Sequence, residues 1–422
     1  MTNQAILAFA ALLVFAYLLD IVGRRFRLPS VILLILTGMG LRQLLDAGGL
    51  ELQWVNPLVP VLGTIGLVLI VLEGALDLSL SAERRVLILR AAAAAVLGFV
   101  ACVVVFAAVF QFGLGLATPT AVLAAIPFAV ISSAVAIPSS AGLSPGSREF
   151  VTYESSISDI VGVLVFYAWL ASGGRWPEFA ADLLGGGLLS LAVAAVAAIG
   201  LLYLINRIEG HVRFLPLLAG LLLVYAFGKE LHLSPLVLVL VCGLLLNNAR
   251  LVARVPRLGA MLRDGYEETL GEFKGLVAEL TFAVRSFFFL LLGYWTEVGH
   301  MREARAAMVA VAVVAAIYLT RRLLLGALRQ PEAARLLWLA PRGLITVLLF
   351  LAGLDAGQLQ GFPFGAVMLV VLATAALTSL AHRGARDASR AASMPATPMA
   401  EPIPVEVPAS ERVAERRGDP EV

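Results

Sequence analysis

Apolar residues along this chain fall in long runs, separated by short clusters of arginine, proline and glycine. A hydrocarbon core about 30 Å thick takes about 20 helical residues to cross. Thirteen stretches have that character, near 4–22, 28–45, 57–77, 87–112, 117–141, 149–171, 181–206, 213–229, 233–249, 274–297, 305–325, 333–354 and 361–381. The pattern predicts an all-α polytopic membrane protein. The first stretch is read as a retained helix and not a signal peptide. Its leading residues, Met1 to Ala5, carry no positive charge, and the basic cluster Arg24, Arg25 and Arg27 follows the apolar run.

Composition narrows the picture. Of 422 residues, 60% are hydrophobic and 14% charged, where soluble domains carry about 25% charged. A soluble globular enzyme is excluded. The net charge of +2 gives no reason to expect nucleic acid as a partner; the bilayer itself is the partner. Cys102 and Cys242 lie inside apolar runs without metal-ligand spacing and read as small buried hydrophobes.

Charge placement says more than charge total. With the N-terminus outside, eighteen basic residues fall on the cytoplasmic side, among them Arg84, Arg148, Arg250 and Arg335, against five outside: Arg42, Arg175, Lys229, Arg302 and Arg305. By the positive-inside rule this sets the N-terminus out and the C-terminus in, in a multi-pass protein of the cell (inner) membrane. The segment 383–422 contains six prolines and few branched apolar residues, so it reads as a disordered cytoplasmic tail.

Ionisable groups at membrane depth are functional candidates by default. They are Glu73, Glu154, Asp159, Glu279, Arg285 and Arg342. At a rise of about 1.5 Å per residue, Asp159 lies about 15 Å deep, near the midplane, and Arg342 at a similar depth in the twelfth span. Glu279 reads as interfacial, as do His211, His232, His300 and His382 at helix ends and loops.

The fifth span carries Pro127 and Pro138 around Ser132-Ser133, and the twelfth has a matching break at Pro341-Arg342-Gly343. Spans 1–6 and 8–13 thus read as two six-helix repeats joined by the seventh, the odd offset inverting the second. Paired broken helices in inverted halves point to a midplane substrate site in a secondary transporter.

In the sixth span Ser155 and Asp159 are four apart, on one helical face. Together they offer a carboxylate and a hydroxyl to a small hard cation, which calls for oxygen ligands. Glu154 lies about 140° round the helix from Asp159 and is read as an ion-pair partner of Arg342 or of Arg321-Arg322. Glu73, toward the cytoplasmic side of the third span, either lines the inner approach to the ion site or neutralises Arg285.

Over residues 5–382 the pattern resembles the monovalent cation:proton antiporters, nearer the sodium/proton exchanger branch. The matching stretches are Leu28-Pro29, Leu72-Glu73-Gly74-Ala75-Leu76-Asp77-Leu78, Ser132-Ser133-Ala134-Val135-Ala136, Glu154-Ser155-Ser156-Ile157-Ser158-Asp159, Phe287-Phe288-Phe289-Leu290-Leu291-Leu292-Gly293 and Pro341-Arg342-Gly343-Leu344-Ile345. The resemblance implies crossed discontinuous helices and a homodimer working by an elevator-like movement. It implies a core bundle (about 87–171 and 305–381), an interface bundle (about 4–77 and 213–297) and a linker helix (about 181–206). It makes Asp159 the ion- and proton-binding aspartate; Ser155, Ser158, Ser132, Ser133 and Glu73 complete the candidate ion- and proton-binding residues. Two positions depart from the family. Ser158 stands where exchangers have Asn and electrogenic members Asp, and Ser132-Ser133 stands where many exchangers have Thr-Asp.

Burial disfavours the charged form of a carboxyl, so one buried carboxylate can hold either a proton or a cation, and competition produces exchange. With Ser158 uncharged, the simplest stoichiometry is one sodium ion for one proton, without net charge and without a cofactor, in the service of pH homeostasis. The sequence leaves open potassium/proton exchange, a cation channel and a non-transporting scaffold of the same fold. An intramembrane hydrolase is disfavoured, since no membrane-depth histidine or second aspartate is available to partner Ser132 or Asp159.

Overall fold

The computed structural model describes residues 2–26, 28–48, 58–80, 82–207, 214–231, 233, 235–252 and 265–382. The expected tail 383–422 lies outside the described residues, as do Arg27, Arg213, Arg254, Arg257, Arg263, His211 and His232. Among the described residues the chain is helical throughout, with no strand.

The first repeat comprises α1 (Thr2–Phe26), α2 (Ser30–Ala47), α3 (Leu58–Asp77), α4 (Arg85–Leu114), the broken pair α5 (Thr118–Ala129) and α6 (Ser133–Ser139), and α7 (Pro145–Ala171). A connecting run follows, with α8 (Trp176–Ala181) passing through one π-helical turn into α9 (Gly187–Arg207). The second repeat holds α10 (Leu215–Glu230), α11 (Pro235–Asn247), α12 (Ala249–Val252), α13 (Tyr266–Trp295), α14 (Val298–Met301), α15 (Ala304–Ala327), α16 (Ala333–Leu336), α17 (Leu344–Asp355) and α18 (Phe364–Leu377). Each of the thirteen apolar stretches coincides with one of these helices or with a broken pair.

Both expected breaks are present. Pro127 and Pro138 lie inside α5 and α6, and the chain unwinds between them, at Val130–Ser132. Each proline removes only one backbone hydrogen bond; the N–H groups at the break are taken up by Ser158 Oγ, Pro341 O and Asp159 Oδ2. The twelfth span is broken over more than Pro341-Arg342-Gly343 alone. Its first half is the single turn α16, and residues 337–343 carry no helix.

Two sets of helices pack tightly. In one, α13 lies against α2 and α3, and α11 against α3, α9 and α10; in the other, α4 lies against α5, α7 and α15, and α15 against α18. In the first set the backbones close directly, because a side chain at Gly38 or Gly293 would strike the carbonyls of Leu290 and Ile35 respectively. Small residues serve this purpose where lipid offers helices no hydrophobic drive to associate. In the second set Phe106 and Phe110 of α4, Phe128 of α5, Phe350 of α17 and Phe362 form a buried aromatic cluster, several pairs meeting edge to face. That cluster fixes α5 and α17 beside one another next to their breaks.

The polarity of the bundle is inverted relative to a soluble protein. Leu97, Val100 and Val104 of α4 and Val311, Leu319 and Leu323 of α15 are exposed, while Ser132, Ser133, Glu154, Ser156, Asp159, Arg321 and Arg342 are buried. An apolar exterior over a polar centre suits a bilayer.

Candidate ion site at the crossed breaks

The two breaks meet and complete one another. Ser132 N–H donates to Pro341 O at 2.9 Å, joining the unwound strands directly. The crossing is close enough that a Cβ on Gly343 would lie 2.5 Å from Ser132 Oγ. The other freed donors are taken up by side chains. Ile131 N–H donates to Ser158 Oγ at 3.0 Å, and Ser133 N–H to Asp159 Oδ2 at 3.3 Å. Arg342 N–H donates to Thr374 Oγ1 at 2.9 Å, and Gly343 N–H to Thr346 Oγ1 at 3.4 Å. An unpaired backbone group in hydrocarbon costs several kcal/mol, so these five bonds hold open a shape that the backbone alone would not keep.

Asp159 is buried, 6% exposed. Its Oδ2 serves the break, while Oδ1 has no hydrogen-bond partner. Beside Asp159 lies a small cavity between α3, α7 and α11, walled by Ile70, Val71, Gly74, Ala75, Ile160 and Leu240 and opening onto Ser156 and Asp159.

The structure distributes the remaining expected site residues differently. Ser133 touches Asp159, and Ser132 ties the breaks together. Ser158 serves the break through Ile131 and lines a second cavity, on the α4–α15 side. Ser155 turns its hydroxyl back onto Val151 O at 2.7 Å; the neighbouring Ser156 borders the Asp159 cavity. Glu73 does not line that cavity and faces the field of Arg285 on α13.

Glu154 makes a two-pronged ion pair with Arg321, both N–H···O contacts at 2.9 Å and both side chains buried. Arg321 Nε also donates to Leu336 O at 2.8 Å, so one guanidinium joins α7, α15 and the start of the second break. Arg322 is exposed, and Arg342 is not the partner of Glu154. Buried at 1% exposure, Arg342 has Nε and Nη1 unpaired. Its neighbours around the second cavity include Cys102, Ser158, Thr320, Glu154 and Arg321. Ser156, Thr346 and Thr374 are absent from the residues expected at the site. In the sequence Thr346 and Thr374 are hydroxyls within otherwise apolar spans, while Ser156 lies in the polar stretch Glu154-Ser155-Ser156-Ile157-Ser158-Asp159.

Two discontinuous helices crossing at an unpaired buried carboxylate, in inverted repeats, define a secondary transporter. The family model described as "Sodium/hydrogen exchanger, transmembrane" matches residues 10–383, and the chain belongs to that family. Among solved structures, that of the sodium proton antiporter MjNhaP1 from Methanocaldococcus jannaschii at pH 8 is similar, with a TM-score of 0.69 and 20% identity, covering 90% of this chain and 100% of that one. A second structure of the same antiporter, from an electron-microscopy map, matches with the same TM-score and identity over 94% of this chain and 100% of that one. At this identity the likeness speaks for the fold. No curated protein sequence matches the chain.

Proposed function

We propose that the protein exchanges sodium ions for protons across the cell membrane, one for one, by competition at Asp159. The observation that carries this reading is the divided carboxylate: Oδ2 is held by the break through Ser133, and Oδ1 is buried and unpaired. An isolated buried charge is strongly disfavoured, so a carboxylate placed this way takes up a proton or a cation. Because each neutralises the same single charge, the two loaded forms carry equal net charge.

The division of the helices into two packed sets supports an elevator-like cycle. A core (about 87–171 and 305–381) would shift against an interface bundle (about 4–77 and 213–297), with 181–206 as linker and the interface bundles pairing in a homodimer. The eighteen-to-five asymmetry of basic residues supports an orientation with the N-terminus out and the C-terminus in. The transported ions are the only small species required, no cofactor among them, and the cellular role is pH homeostasis.

The test is a pH-jump fluorescence assay in proteoliposomes, with each alkali cation added in turn to the wild type and to Asp159→Asn. Sodium addition is expected to move protons in the wild type and not in the variant, with no membrane potential generated. A net charge moved would couple the cycle to voltage by about 2.3 kcal/mol per 100 mV. Full activity in Asp159→Asn overturns the site, and exchange that builds its own potential overturns the stoichiometry.

A further inference from the structure

The second cavity, on the α4–α15 side, has no part in exchange at Asp159. Its polar lining comes from Glu154 and Ser158 of α7, Cys102 of α4, Thr320 and Arg321 of α15, and Arg342 of the second break. Arg342 is 1% exposed, and its Nε and Nη1 have no hydrogen-bond partner. Its peptide N–H is held by Thr374 Oγ1, so the backbone is fixed while the charged end of the side chain is not. A guanidinium stays protonated in a protein and has only donors to offer.

The charges around this space do not balance. Two guanidinium cations and one carboxylate line it, leaving an excess of one positive charge. Glu154 is committed to Arg321, which holds both of its oxygens at 2.9 Å. Asp159 lies in the field of Arg342, but it borders the other cavity and offers no counter-charge once it carries a proton or a cation. A buried ion without a partner is strongly disfavoured. Donors also converge here. Ser158 Oγ accepts from Ile131 N–H and keeps its own hydrogen, and Cys102 adds a weak S–H donor, whereas Thr320 gives its hydrogen to Ala316 O. The remaining walls are apolar, among them Phe99, Ile317 and Leu324, and the room is that of about one or two water-sized groups.

We infer that this cavity binds a small monovalent anion of the size of chloride, held by Arg342 and Ser158, which neutralises the protein beside the crossed breaks. A single negative charge cancels the excess, and a larger anion does not fit the space. The same positive balance turns away the transported cation, so the anion site is separate from Asp159 and does not depend on which ions Asp159 exchanges.

The test is thermal unfolding of the purified full chain in detergent, at constant sodium concentration and ionic strength, with gluconate replaced stepwise by chloride. The unfolding temperature of the wild type is expected to rise saturably by a few degrees, as ligand binding to the folded state alone requires, and bromide is expected to act likewise. A site too tight to empty shows instead as chloride released when protein exchanged into gluconate is denatured, read by ion chromatography. Two variants test the place, and both keep Arg342 and Ser158. Cys102→Asp puts a carboxylate into the cavity, and Cys102→Leu fills it. In each, the chloride-dependent rise and the released chloride are expected to be lost. A wild type with neither saturable stabilisation nor released chloride overturns the proposal. So does a chloride response that survives in the variants, which would place the anion elsewhere. A variant that fails to fold is identified by the absence of a cooperative transition in gluconate, and the other then decides.

Discussion

Replacing Arg321 by methionine removes one half of a buried ion pair and leaves Glu154, 1% exposed, without the guanidinium that grips both its oxygens. Breaking a buried pair from one side costs about 3–5 kcal/mol, because the charge left behind stays desolvated. The loss of the Arg321 bond to Leu336 O adds about 1 kcal/mol. Arg342, on the same cavity with Nε and Nη1 unpaired, offsets part of this through its charge, so the expected deficit is about 3–5 kcal/mol. The assay is thermal unfolding of detergent-solubilised protein, followed by tryptophan fluorescence at neutral pH, for the wild type, Arg321→Met and Glu154→Gln/Arg321→Met. Replacing both partners removes the stranded charge, so the double variant is expected to be more stable than Arg321→Met. An Arg321→Met protein as stable as the wild type, or a double variant no more stable than Arg321→Met, would refute the reasoning.

Gly343→Ala places a methyl group 2.5 Å from Ser132 Oγ, forcing the crossing apart. Both unfolding temperature and exchange are expected to fall, whereas Gly275→Ala on α13, where a Cβ meets nothing within 4 Å, leaves both unchanged; equal behaviour of the two variants would count against the crossing. At the arginine-rich end of the bundle, the Ser144 hydroxyl and N–H and the Arg335 guanidinium hold Glu332 well below the usual glutamate value of 4.5, at about 2. A depressed carboxylate contributes stability that is whole above the unfolded value and is lost as pH falls through the folded one. Glu332→Gln is thus expected to lower unfolding stability equally at about pH 6 and about pH 8, with the difference closing between about pH 4.5 and about pH 2; a difference that varies across the neutral range contradicts it.

Hydropathy made the thirteen spans legible because a helix in lipid satisfies its backbone internally, so its position depends on length and apolarity alone. The breaks obey other physics. Pro127 and Pro138 drew attention to the correct span, yet the unwinding lies between them, where Ser158, Pro341 and Asp159 supply acceptors for three consecutive N–H groups. Those acceptors come from residues 26 or more positions away, and hydropathy along a single span does not register them. The same applies to the twelfth span, where the expected break at Pro341-Arg342-Gly343 reaches back through a turn to Leu337 and is pinned by the bonds from Ser132 N–H to Pro341 O and from Arg342 N–H to Thr374 Oγ1.

The charges at the site were legible as a set, because each is too costly in lipid to be incidental. Their pairing was not. Glu154 had three arginines to choose from, and only the packing of α15 against α4 brings Arg321 to it, turns Arg322 outward and leaves Arg342 among Cys102 and Thr320. The hydroxyls divide by the same logic. Helical periodicity assigns Ser155 and Ser156 almost equally well to the face of Asp159, since i−4 and i−3 lie on either side of it. What separates them is the company each face keeps: a carbonyl of its own helix for Ser155, and the gap left by Gly74 for Ser156. The buried side-chain oxygens of α7 that the fold leaves without a hydrogen-bond partner are Ser156 Oγ and Asp159 Oδ1.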